Sequence, residues 1–301
     1  MTLEQLRIFV AVAERQHVTQ AAQALNLTQS AVSAAVQALE ARHDTRLFDR
    51  VGRRIALTDA GRIFLEEAKA VLARAAGAET ALAELGGLLR GTLSLHASQT
   101  IAGYWLPRYL ARFHATYPLI DIKLTIGNTA QVTRSVLEGA AEIGFVEGVV
   151  DEPALSNEVV AQDRMVVVVG AGHPWAANGH VAPEELLTAG WVLREPGSGT
   201  RSEFAAALAG FGLDPAKLRI EMELPSNEAV RTAVMAGAGA TAISELVVTA
   251  GIRAELLVKM DFELPLRPFH VLHHKSRYRT KAGEALLALI AEDQERRNTA
   301  P

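Results

Sequence analysis

The chain has 301 residues, of which 49% are hydrophobic and 21% are charged, so it has the composition of a globular protein and the length of two or three domains. The absence of cysteine excludes disulfide scaffolds, iron–sulfur clusters, zinc fingers and catalytic thiols. Thirty lysines and arginines against 34 acidic residues give a net charge of −4, so any binding to nucleic acid must be local.

The amino terminus and the apolar runs of the chain predict a cytoplasmic location. The first apolar run contains Glu4 and Arg7 and is followed by no cleavage pattern, which is unlike a secretory signal. The longest apolar runs, such as Met165 to Gly172, are shorter than the roughly 18 to 20 residues of a membrane-spanning helix. We therefore expect a soluble, cytoplasmic protein with no membrane partner.

Three short helices are predicted in the first forty or so residues. Apolar residues recur at three- and four-residue spacing from Leu3 to Ala13, which is typical of one face of an amphipathic helix. Thr19 is the predicted cap of a second helix. A turn at Asn26 then precedes Thr28, the predicted cap of a third helix.

The third helix has an apolar stripe and an opposite face that is small and polar. Val32 and Leu39, with Ala35 or Val36 between them, form the stripe. Short side chains that donate or accept at base edges suit a helix in the major groove of DNA, and a solvated helix of some other all-α domain is the alternative. The residues of this face are Gln29, Ser30, Ser33, Ala34 and Gln37.

A basic segment follows the third helix. Between Arg42 and Arg54 there are five arginines against two acids, and two short extended pieces lie on either side of Gly52. This pattern predicts a small β-wing with arginines at its tip, which could reach a flanking phosphate backbone or a minor groove.

These elements, in this order, resemble the winged helix-turn-helix of LysR-type transcriptional regulators. The resemblance runs from Phe9 to Ala60, and its spaced segments are Ala21-Ala22, Leu27 to Ser33, Leu39-Glu40, Leu47 to Arg50 and Leu57 to Gly61. It implies that Arg50, Arg53 and Arg54 contact phosphates or the minor groove, and that the polar face of the third helix enters the major groove. The other DNA-binding positions are Thr19, Thr28, Gln29, Ser30, Ser33, Ala34 and Gln37. Many members carry a longer side chain at the position of Ala34, so methyl contact or DNA shape is expected there.

A long connecting helix is predicted after Thr58, which is its predicted cap. Small or apolar residues follow alternating spacings of four and three, a heptad pattern that suits a partner helix. They are Phe64, Ala68, Val71, Ala75, Ala78, Leu82, Leu85 and Leu89. Dimerisation through a linker helix over residues 58–90 is the leading interpretation, and a helix folded back on its own domain is the alternative. The family resemblance implies a dimer of dimers, that is, a homotetramer.

From Thr92 onward, β-rich runs alternate with helical patterns, which predicts an α/β domain with largely parallel sheets over residues 91–301. Chain crossings imply two subdomains, residues 92–161 with 266–301 and residues 162–265, with hinges near Gln162 and Pro265 or Pro268. This domain resembles the effector domain of the same family, which is similar in fold to type II periplasmic solute-binding proteins. The predicted strands are 92–97, 120–126, 142–146, 165–169, 191–193, 218–223, 240–243 and 268–273.

Hydroxyl, amide and glycine residues follow several of these strands, where α/β folds bind ligands. Donors beside free amides at a helix start suit an anion, although each junction could equally be a capped helix without a ligand. The glycine loop at 195–201 is not a nucleotide P-loop, because no Gly-Lys-Ser/Thr closes it. The predicted effector-binding residues are Ser98, Gln99, Thr100, Asn128, Thr129, Glu147, Gly197, Ser198, Gly199, Thr200, Arg201 and Asn227.

The Gly-Ser-Gly-Thr-Arg loop most resembles family members linked to sulfur metabolism or carbon fixation, whose effectors are small oxyanions or phosphorylated metabolites. The predicted effector is accordingly a sulfite- or sulfate-like oxyanion, or a phosphorylated or carboxylate metabolite. In the cleft, Glu147 would repel such an anion unless it is protonated or paired, for example with Arg201.

The rest of the sequence gives no sign of catalysis. His173 and the adjacent pair His273 and His274 are poor metal ligands, because no third ligand lies at a helpful spacing. We predict a regulator with no enzyme activity, cofactor or metal, whose partners are promoter DNA with two-fold-related half-sites, a small anion and further copies of itself. The alternative is a cytoplasmic small-molecule-binding protein with no role in transcription.

Overall fold

The computed structural model describes residues 1–51, 54–85, 90–148 and 150–298. Within these ranges the chain forms two compact units, one at the amino-terminal end and a larger one at the carboxyl-terminal end. Each unit has its own hydrophobic clusters.

The amino-terminal unit has the helices and the wing that the sequence predicts. Its elements in chain order are α1 (Leu3–Arg15), α2 (Val18–Ala24), α3 (Gln29–His43), β1 (Phe48–Val51), β2 (Arg54–Leu57) and α4 (Asp59–Leu85). The two strands pair antiparallel. Phe9 of α1 is fully buried, and its ring lies 5.4 Å from that of Phe48 and 4.8 Å from that of Phe64. Helix α1 is therefore the element on which the wing and α4 pack.

Two of the three predicted helix caps are confirmed. Thr28 Oγ1 accepts a hydrogen bond from Ala31 N at 3.2 Å, and Thr58 Oγ1 accepts one from Gly61 N at 2.9 Å. The prediction that Thr19 caps the second helix is wrong. That helix already begins at Val18, and His17 is its cap, with Nδ1 accepting from Gln20 N at 3.4 Å.

The heptad stripe of α4 changes its surroundings along the helix. Phe64 and Ala68 belong to the hydrophobic cluster around Phe9. Farther along, Val71 and Leu82 are 41% and 71% exposed. The side chain of Leu85 and the whole of Leu89 lie outside the described residues. The start of the stripe thus belongs to the core of this unit, and its later part leaves apolar side chains in solvent.

The carboxyl-terminal unit is an α/β domain built on one continuous sheet. The strand order in space is β4-β3-β5-β11-β6-β9-β7-β8, and β10 pairs with β6. The strands are β3 (Gly91–Ser98), β4 (Ile120–Gly127), β5 (Ile143–Glu147), β6 (Leu155–Gly170), β7 (Gly190–Arg194), β8 (Arg219–Leu224), β9 (Ala240–Ser244), β10 (Leu257–Lys259) and β11 (Leu266–His274). The helices are α5 (Pro107–Thr116), α6 (Thr129–Glu138), α7 (Gly199–Gly210), α8 (Asn227–Met235), α9 (Glu245–Arg253) and α10 (Lys281–Asn298).

The predicted parallel arrangement holds only toward the two ends of the sheet. Strand β3 is parallel to β4 and β5, and β7 is parallel to β8 and β9. Between these groups, β6 and β11 run antiparallel to every strand they pair with. Strand β6 changes partner between Arg164, which pairs with β11, and Met165, which pairs with β9. This long strand thereby carries the chain from one half of the sheet to the other.

The start of β6 and the short strand β10 were not predicted. Residues 155–164 contain only a short apolar run, Val159 to Ala161, between polar residues, and most of them are partly or fully exposed. Such a segment lacks the continuous apolar run by which the second half of β6 is recognised. Three residues in β10 are too few for any periodicity to be read.

The tryptophans pack in or against hydrophobic clusters. Trp105 lies 6.0 Å from the ring of Phe145 and 5.7 Å from that of Phe269. Trp191 is fully buried, and its Nε1 donates to Leu186 O at 2.7 Å. Trp175 packs against Trp191 at 6.4 Å. The two halves of the sheet therefore have separate aromatic cores.

Candidate functional sites: the exposed face of α3 and a buried polar cluster

The orientation of α3 agrees with the sequence analysis. Val32 and Leu39 are buried, and Ala35 and Val36 are partly buried beside them. On the opposite side, Ser33 is half-buried, and the other predicted contact residues are exposed: Gln29, Ser30, Ala34 and Gln37. The helix thus presents a row of short polar and methyl side chains to solvent, which is the shape a major groove admits.

Glu40 fixes the wing to the end of α3. Its Oε1 accepts hydrogen bonds from Leu47 N at 2.7 Å and Phe48 N at 3.1 Å. Thr58 Oγ1 also donates to Arg46 O at 2.8 Å, so both ends of the hairpin are tied down. Glu40 belongs to the family pattern in the sequence, but no structural contact was predicted for it.

The predicted arginine contacts to DNA stay predictions. Arg53 lies outside the described residues, and for Arg50 and Arg54 only the backbone is described. Their backbones lie in the hairpin, where Arg50 pairs with Ile55 and Arg54 with Val51. Arg50 and Arg54 thus lie near the strand ends that adjoin residues 52–53, which are outside the described residues.

A buried arginine that the sequence analysis missed organises the carboxyl-terminal unit. Arg267 is 1% exposed, and its Nη2 lies 2.7 Å from Asp163 Oδ2 and 3.9 Å from Glu147 Oε1. Its Nη1 donates to Thr200 Oγ1 at 3.1 Å, and its Nη2 donates to Thr100 Oγ1 at 3.5 Å. Arg267 therefore connects β11 to the end of β3, the start of α7 and the acidic side chains of β5 and β6.

A second buried arginine holds the loop before α7. Arg194 donates from Nε and Nη2 to the two carboxylate oxygens of Glu195, at 2.8 and 2.9 Å, and from Nη1 to Asn227 Oδ1 at 2.7 Å. Asn128 Nδ2 donates to Glu195 Oε1 at 3.2 Å. Burial tends to raise the pKa of Glu195, but the hydrogen bonds from Arg194 and Asn128 outweigh burial and hold this pKa below its usual value.

Four hydroxyl residues lie at or near the contacts of Arg267, and we call Ser98, Thr100, Ser198 and Thr200 the hydroxyl cluster. Thr100 and Thr200 both bond to Arg267, and Ser98 and Ser198 precede them by two positions. All four residues are buried. Thr100 Oγ1 accepts from Asn227 Nδ2 at 3.0 Å as well as from Arg267, and Thr200 Oγ1 accepts from Arg267. A hydroxyl that only accepts keeps its own proton to donate.

The two serines of the hydroxyl cluster also have unused capacity. Among the described residues, Ser98 Oγ has no hydrogen-bond partner although it is shielded from solvent. Ser198 is the residue before α7, but its side chain does not cap that helix. Buried hydroxyls are normally satisfied, so unused capacity at one place points to a ligand.

Other predicted effector residues use their side-chain hydrogen bonds within the protein, around the hydroxyl cluster. Gln99 Nε2 donates to Pro225 O at 2.8 Å and its Oε1 accepts from Asn227 N at 2.9 Å. Thr129 Oγ1 donates to Glu147 O at 3.1 Å. These side chains join the two halves of the sheet domain, and they position the hydroxyl cluster.

The glycines of the loop before α7 allow close backbone packing. A Cβ at Gly199 would lie 2.5 Å from Glu147 O, so any larger residue would push α7 away from β5. Gly197 has a φ of +88°, in the left-handed region that other residues rarely adopt. Both positions therefore act through the backbone.

The pairing suggested between Arg201 and Glu147 is wrong. Arg201 donates to Arg194 O at 3.0 Å and forms an ion pair with Glu223 of β8, so its charge is directed away from Glu147. Glu147 instead faces Arg267. Burial raises the pKa of the neighbouring Asp163, while the Arg267 guanidinium opposes that rise. Two carboxylates thus share one guanidinium behind the hydroxyl cluster.

Two of the three histidines considered as metal ligands, His173 and His274, have local structural contacts. His173 Nδ1 accepts from Trp175 N at 3.2 Å, and His274 Nδ1 accepts from Ser276 N at 3.2 Å. In the ranges that the structure describes, no three histidine, aspartate or glutamate side chains are grouped as metal ligands. Nor does any described helix combine the length and apolar character needed to cross a membrane.

Two family models together match most of the chain. Residues 3–62 match the bacterial regulatory helix-turn-helix protein model of the lysR family, and residues 86–295 match the LysR substrate binding domain. The chain belongs to the LysR family. It is a DNA-binding transcriptional regulator with an effector-binding domain, and this family is not enzymatic.

Curated relatives agree with this membership. The chain is 36% identical over 284 residues to the uncharacterized HTH-type transcriptional regulator YeiE of Escherichia coli strain K12, with 94% of each chain covered. It is 32% identical over 287 residues to a probable RuBisCO transcriptional regulator of Cyanidioschyzon merolae, covering 94% of this chain and 95% of the relative. The expected resemblance to regulators of carbon fixation is thereby confirmed.

Solved structures confirm the fold. Full-length CbnR complexed with its target DNA aligns with a TM-score of 0.71 at 23% identity, covering 98% of this chain and 99% of CbnR. The regulatory domain of Synechocystis PCC6803 CcmR in complex with 2-PG aligns with a TM-score of 0.61 at 23% identity, covering 68% of this chain and 97% of that domain.

Proposed function

We propose that this LysR-family regulator binds promoter DNA at two-fold-related half-sites and senses a small anion in the hydroxyl cluster. The effector would be an oxyanion such as sulfite or sulfate, or a small phosphorylated or carboxylate metabolite. The observation that carries this proposal is the convergence of four buried hydroxyls with unused hydrogen-bonding capacity at the start of α7.

The donors around the hydroxyl cluster suit the oxygens of an anion. The hydroxyls of Thr100 and Thr200 accept from nitrogen donors, which leaves their protons available to a ligand. The first amides of α7 have no intrahelical carbonyl to bond, and they carry the positive end of the helix dipole. Neutral donors of this kind bind sulfate and phosphate groups in many proteins.

The charges behind the hydroxyl cluster limit the size and charge of the ligand. Arg267 is held by Asp163 and faces Glu147, so its charge is largely offset. An anion bound here would depend on hydroxyl and amide dipoles more than on a free cation. The 2-PG bound by the structurally similar CcmR domain supports a small ligand of the phosphorylated class.

The exposed face of α3 supports the DNA-binding half of the proposal. The side chains of Gln29 and Gln37 would contact base edges, and the arginines of the wing would contact phosphates or the minor groove. The target DNA bound by CbnR supports the same use of this fold. The exposed apolar residues Val71 and Leu82 of α4 support pairing with a second copy, and we infer a cytoplasmic homotetramer with no catalytic activity.

Thermal-shift assays test the anion site. We expect at least one of sulfite, sulfate, thiosulfate, phosphate or 2-PG to raise the melting temperature of the full chain, and Thr100→Val, Ser98→Ala or Ser198→Ala to remove that rise. Thr249→Ala is the control, because Thr249 Oγ1 bonds only within α9, to Glu245 O. If every anion shift survives all three variants, the hydroxyl cluster is not the effector site.

Gel-shift titrations at several salt concentrations test DNA binding. Arg53→Ala should weaken binding to all sequences and reduce the salt slope by about 1, as the loss of one phosphate contact predicts. Gln29→Ala should instead reduce the preference for the target sequence, by about 1 to 3 kcal/mol. The absence of any sequence-specific, salt-sensitive shift at the promoters of its own and neighbouring genes would refute the regulatory function.

A further inference from the structure

A cavity of about 300 Å³ lies beside α7, apart from the hydroxyl cluster. Its walls are mainly apolar and include Met165 of β6, Ala206 of α7, Phe211 at the end of α7 and Leu264. Phe211 is 42% exposed and packs its ring at 5.2 Å against Phe262, so an aromatic side chain borders the opening. Ligand pockets start at about this volume and are typically apolar with a few polar groups.

Two charged residues also line the cavity, and they differ in their contacts. Arg267 uses its guanidinium nitrogens on Asp163, Thr200 and Thr100. Glu203, by contrast, forms no hydrogen bond or ion pair with any residue that the structure describes, although it is only partly exposed. Burial raises the pKa of Glu203, the Arg267 guanidinium opposes that rise, and Glu147 adds to it. The cavity is therefore lined by one carboxylate that has no hydrogen-bonding partner among the described residues, and by one arginine whose guanidinium is already hydrogen-bonded.

Gly148 makes room for this carboxylate. A Cβ at Gly148 would lie 2.8 Å from Glu203 Oε1, and the φ of +84° at Gly148 also favours glycine. The Glu203 side chain consequently lies against the backbone just after β5, at one side of the cavity. The charged groups that act on it are the guanidinium of Arg267 and the carboxylate of Glu147, which itself faces Arg267.

We propose that this cavity is a second ligand site, which binds a small organic cation with its ammonium group on Glu203 and its apolar body against Met165, Phe211 and Leu264. An anion would be repelled by the carboxylate of Glu203, to which the nearby Glu147 adds, and a neutral molecule would leave Glu203 without a partner. The volume is roughly that of ten water molecules, which fits a body of the size of a phenyl ring with a short chain. None of the residues of the hydroxyl cluster lines this cavity, and Arg267 borders both sites.

Isothermal titration of the full chain with phenethylamine, phenylacetate and 2-phenylethanol tests this site, because these three molecules share an aromatic body and differ in charge. We expect phenethylamine to bind at least tenfold more tightly than either of the others. Glu203→Gln should reduce the affinity for phenethylamine at least tenfold, because it removes the charge and keeps the shape of the side chain.

Two phenylalanine substitutions on α7 separate filling of the cavity from a general effect on the helix. Ala206→Phe fills the cavity and should abolish binding of phenethylamine. Ala209→Phe adds the same side chain at an exposed position of α7 that does not line the cavity, and it should leave the affinity unchanged. Equal affinities for phenethylamine and phenylacetate, no binding of phenethylamine at millimolar concentration, or undiminished binding to both Glu203→Gln and Ala206→Phe would each overturn the proposal.

Discussion

The exposed face of α3 and the hydroxyl cluster both offer hydrogen-bonding side chains to a partner. They differ in how far apart in the sequence the residues lie that hold them in place. On α3, the cap Thr28 and the buried residues Val32 and Leu39 lie within twelve positions of one another. In the cluster, Arg267 bonds to Thr200 and Thr100 across 67 and 167 positions. The side chains of α3 can therefore change without loss of the fold, whereas the cluster couples ligand binding to the stability of the whole effector domain.

Replacement of Arg267 gives the largest effect that this comparison predicts. Arg267→Met leaves Asp163 and Glu147 buried without their cation, which typically costs about 3 to 5 kcal/mol. We expect this loss in the free energy of unfolding of the effector domain, measured by urea denaturation. Arg112→Met is the control, because the ion pair of Arg112 with Asp293 is partly exposed and should contribute less than about 1 kcal/mol. Equal effects of the two variants would show that the buried network is not what holds the cluster.

The same difference in separation explains how much of the molecule could be predicted from its sequence. The face of α3 follows from residues three and four positions apart, and the cap at Thr28 follows from its neighbours, so both were predicted correctly. The predicted cap at Thr19 is wrong because His17, two positions earlier, can also accept a hydrogen bond from a helix amide. Local competition of this kind shifts a boundary without changing the element.

The effector site was predicted only as a set of positions after strands. The sequence could indicate that Ser98, Thr100, Ser198 and Thr200 follow strands, but it could not indicate which of their hydrogen-bonding groups are used within the protein. Arg267 had one local signal, a charged residue next to Pro268 at the start of a strand whose other residues are apolar or histidine. Its partners lie just after β3 and on β5, β6 and α7, and pairing over such separations follows only from the completed fold.

Removal of Glu40 tests whether the amino-terminal unit also contains one contact on which its function depends. Glu40→Ala leaves the amides of Leu47 and Phe48 without their acceptor, and we expect a loss of about 1 to 3 kcal/mol in the stability of that unit. Glu66→Ala, at an exposed position of α4, should change stability by less than about 0.5 kcal/mol. An unchanged urea midpoint for Glu40→Ala would mean that the wing is held without α3.

Replacement of Thr28 and of Thr19, both predicted as caps, should differ in its effect on stability, by less than the effect expected for Glu40→Ala. Thr28→Ala removes the acceptor for Ala31 N and should cost about 1 kcal/mol, whereas Thr28→Ser should retain most of the stability. Thr19→Ala should change stability by less than about 0.5 kcal/mol, because Thr19 follows the true cap His17. Thermal unfolding followed by circular dichroism measures all three, and a Thr19 effect as large as that of Thr28 would contradict the assignment of the cap.

The pH dependence of stability also distinguishes the two units, and it is the smallest effect that we expect. His270 is 7% exposed, both of its ring nitrogens lack a partner among the described residues, and burial lowers its pKa. The unfolded chain therefore takes up a proton near pH 6.5 while the folded domain does not, so stability is lost as the pH falls below about 6.5.

His270→Leu should flatten this acid loss, measured as urea midpoints of the effector domain between about pH 5 and pH 8. At neutral pH the variant should be no less stable, because leucine replaces a ring whose nitrogens form no hydrogen bond. The exposed His114 provides the control, and His114→Leu should retain the full slope. Parallel slopes for the two variants would show that acid acts elsewhere. A flattened slope for His270→Leu alone would show that buried, unpartnered groups make the effector domain the acid-sensitive unit, since His17 and His43 of the amino-terminal unit are exposed.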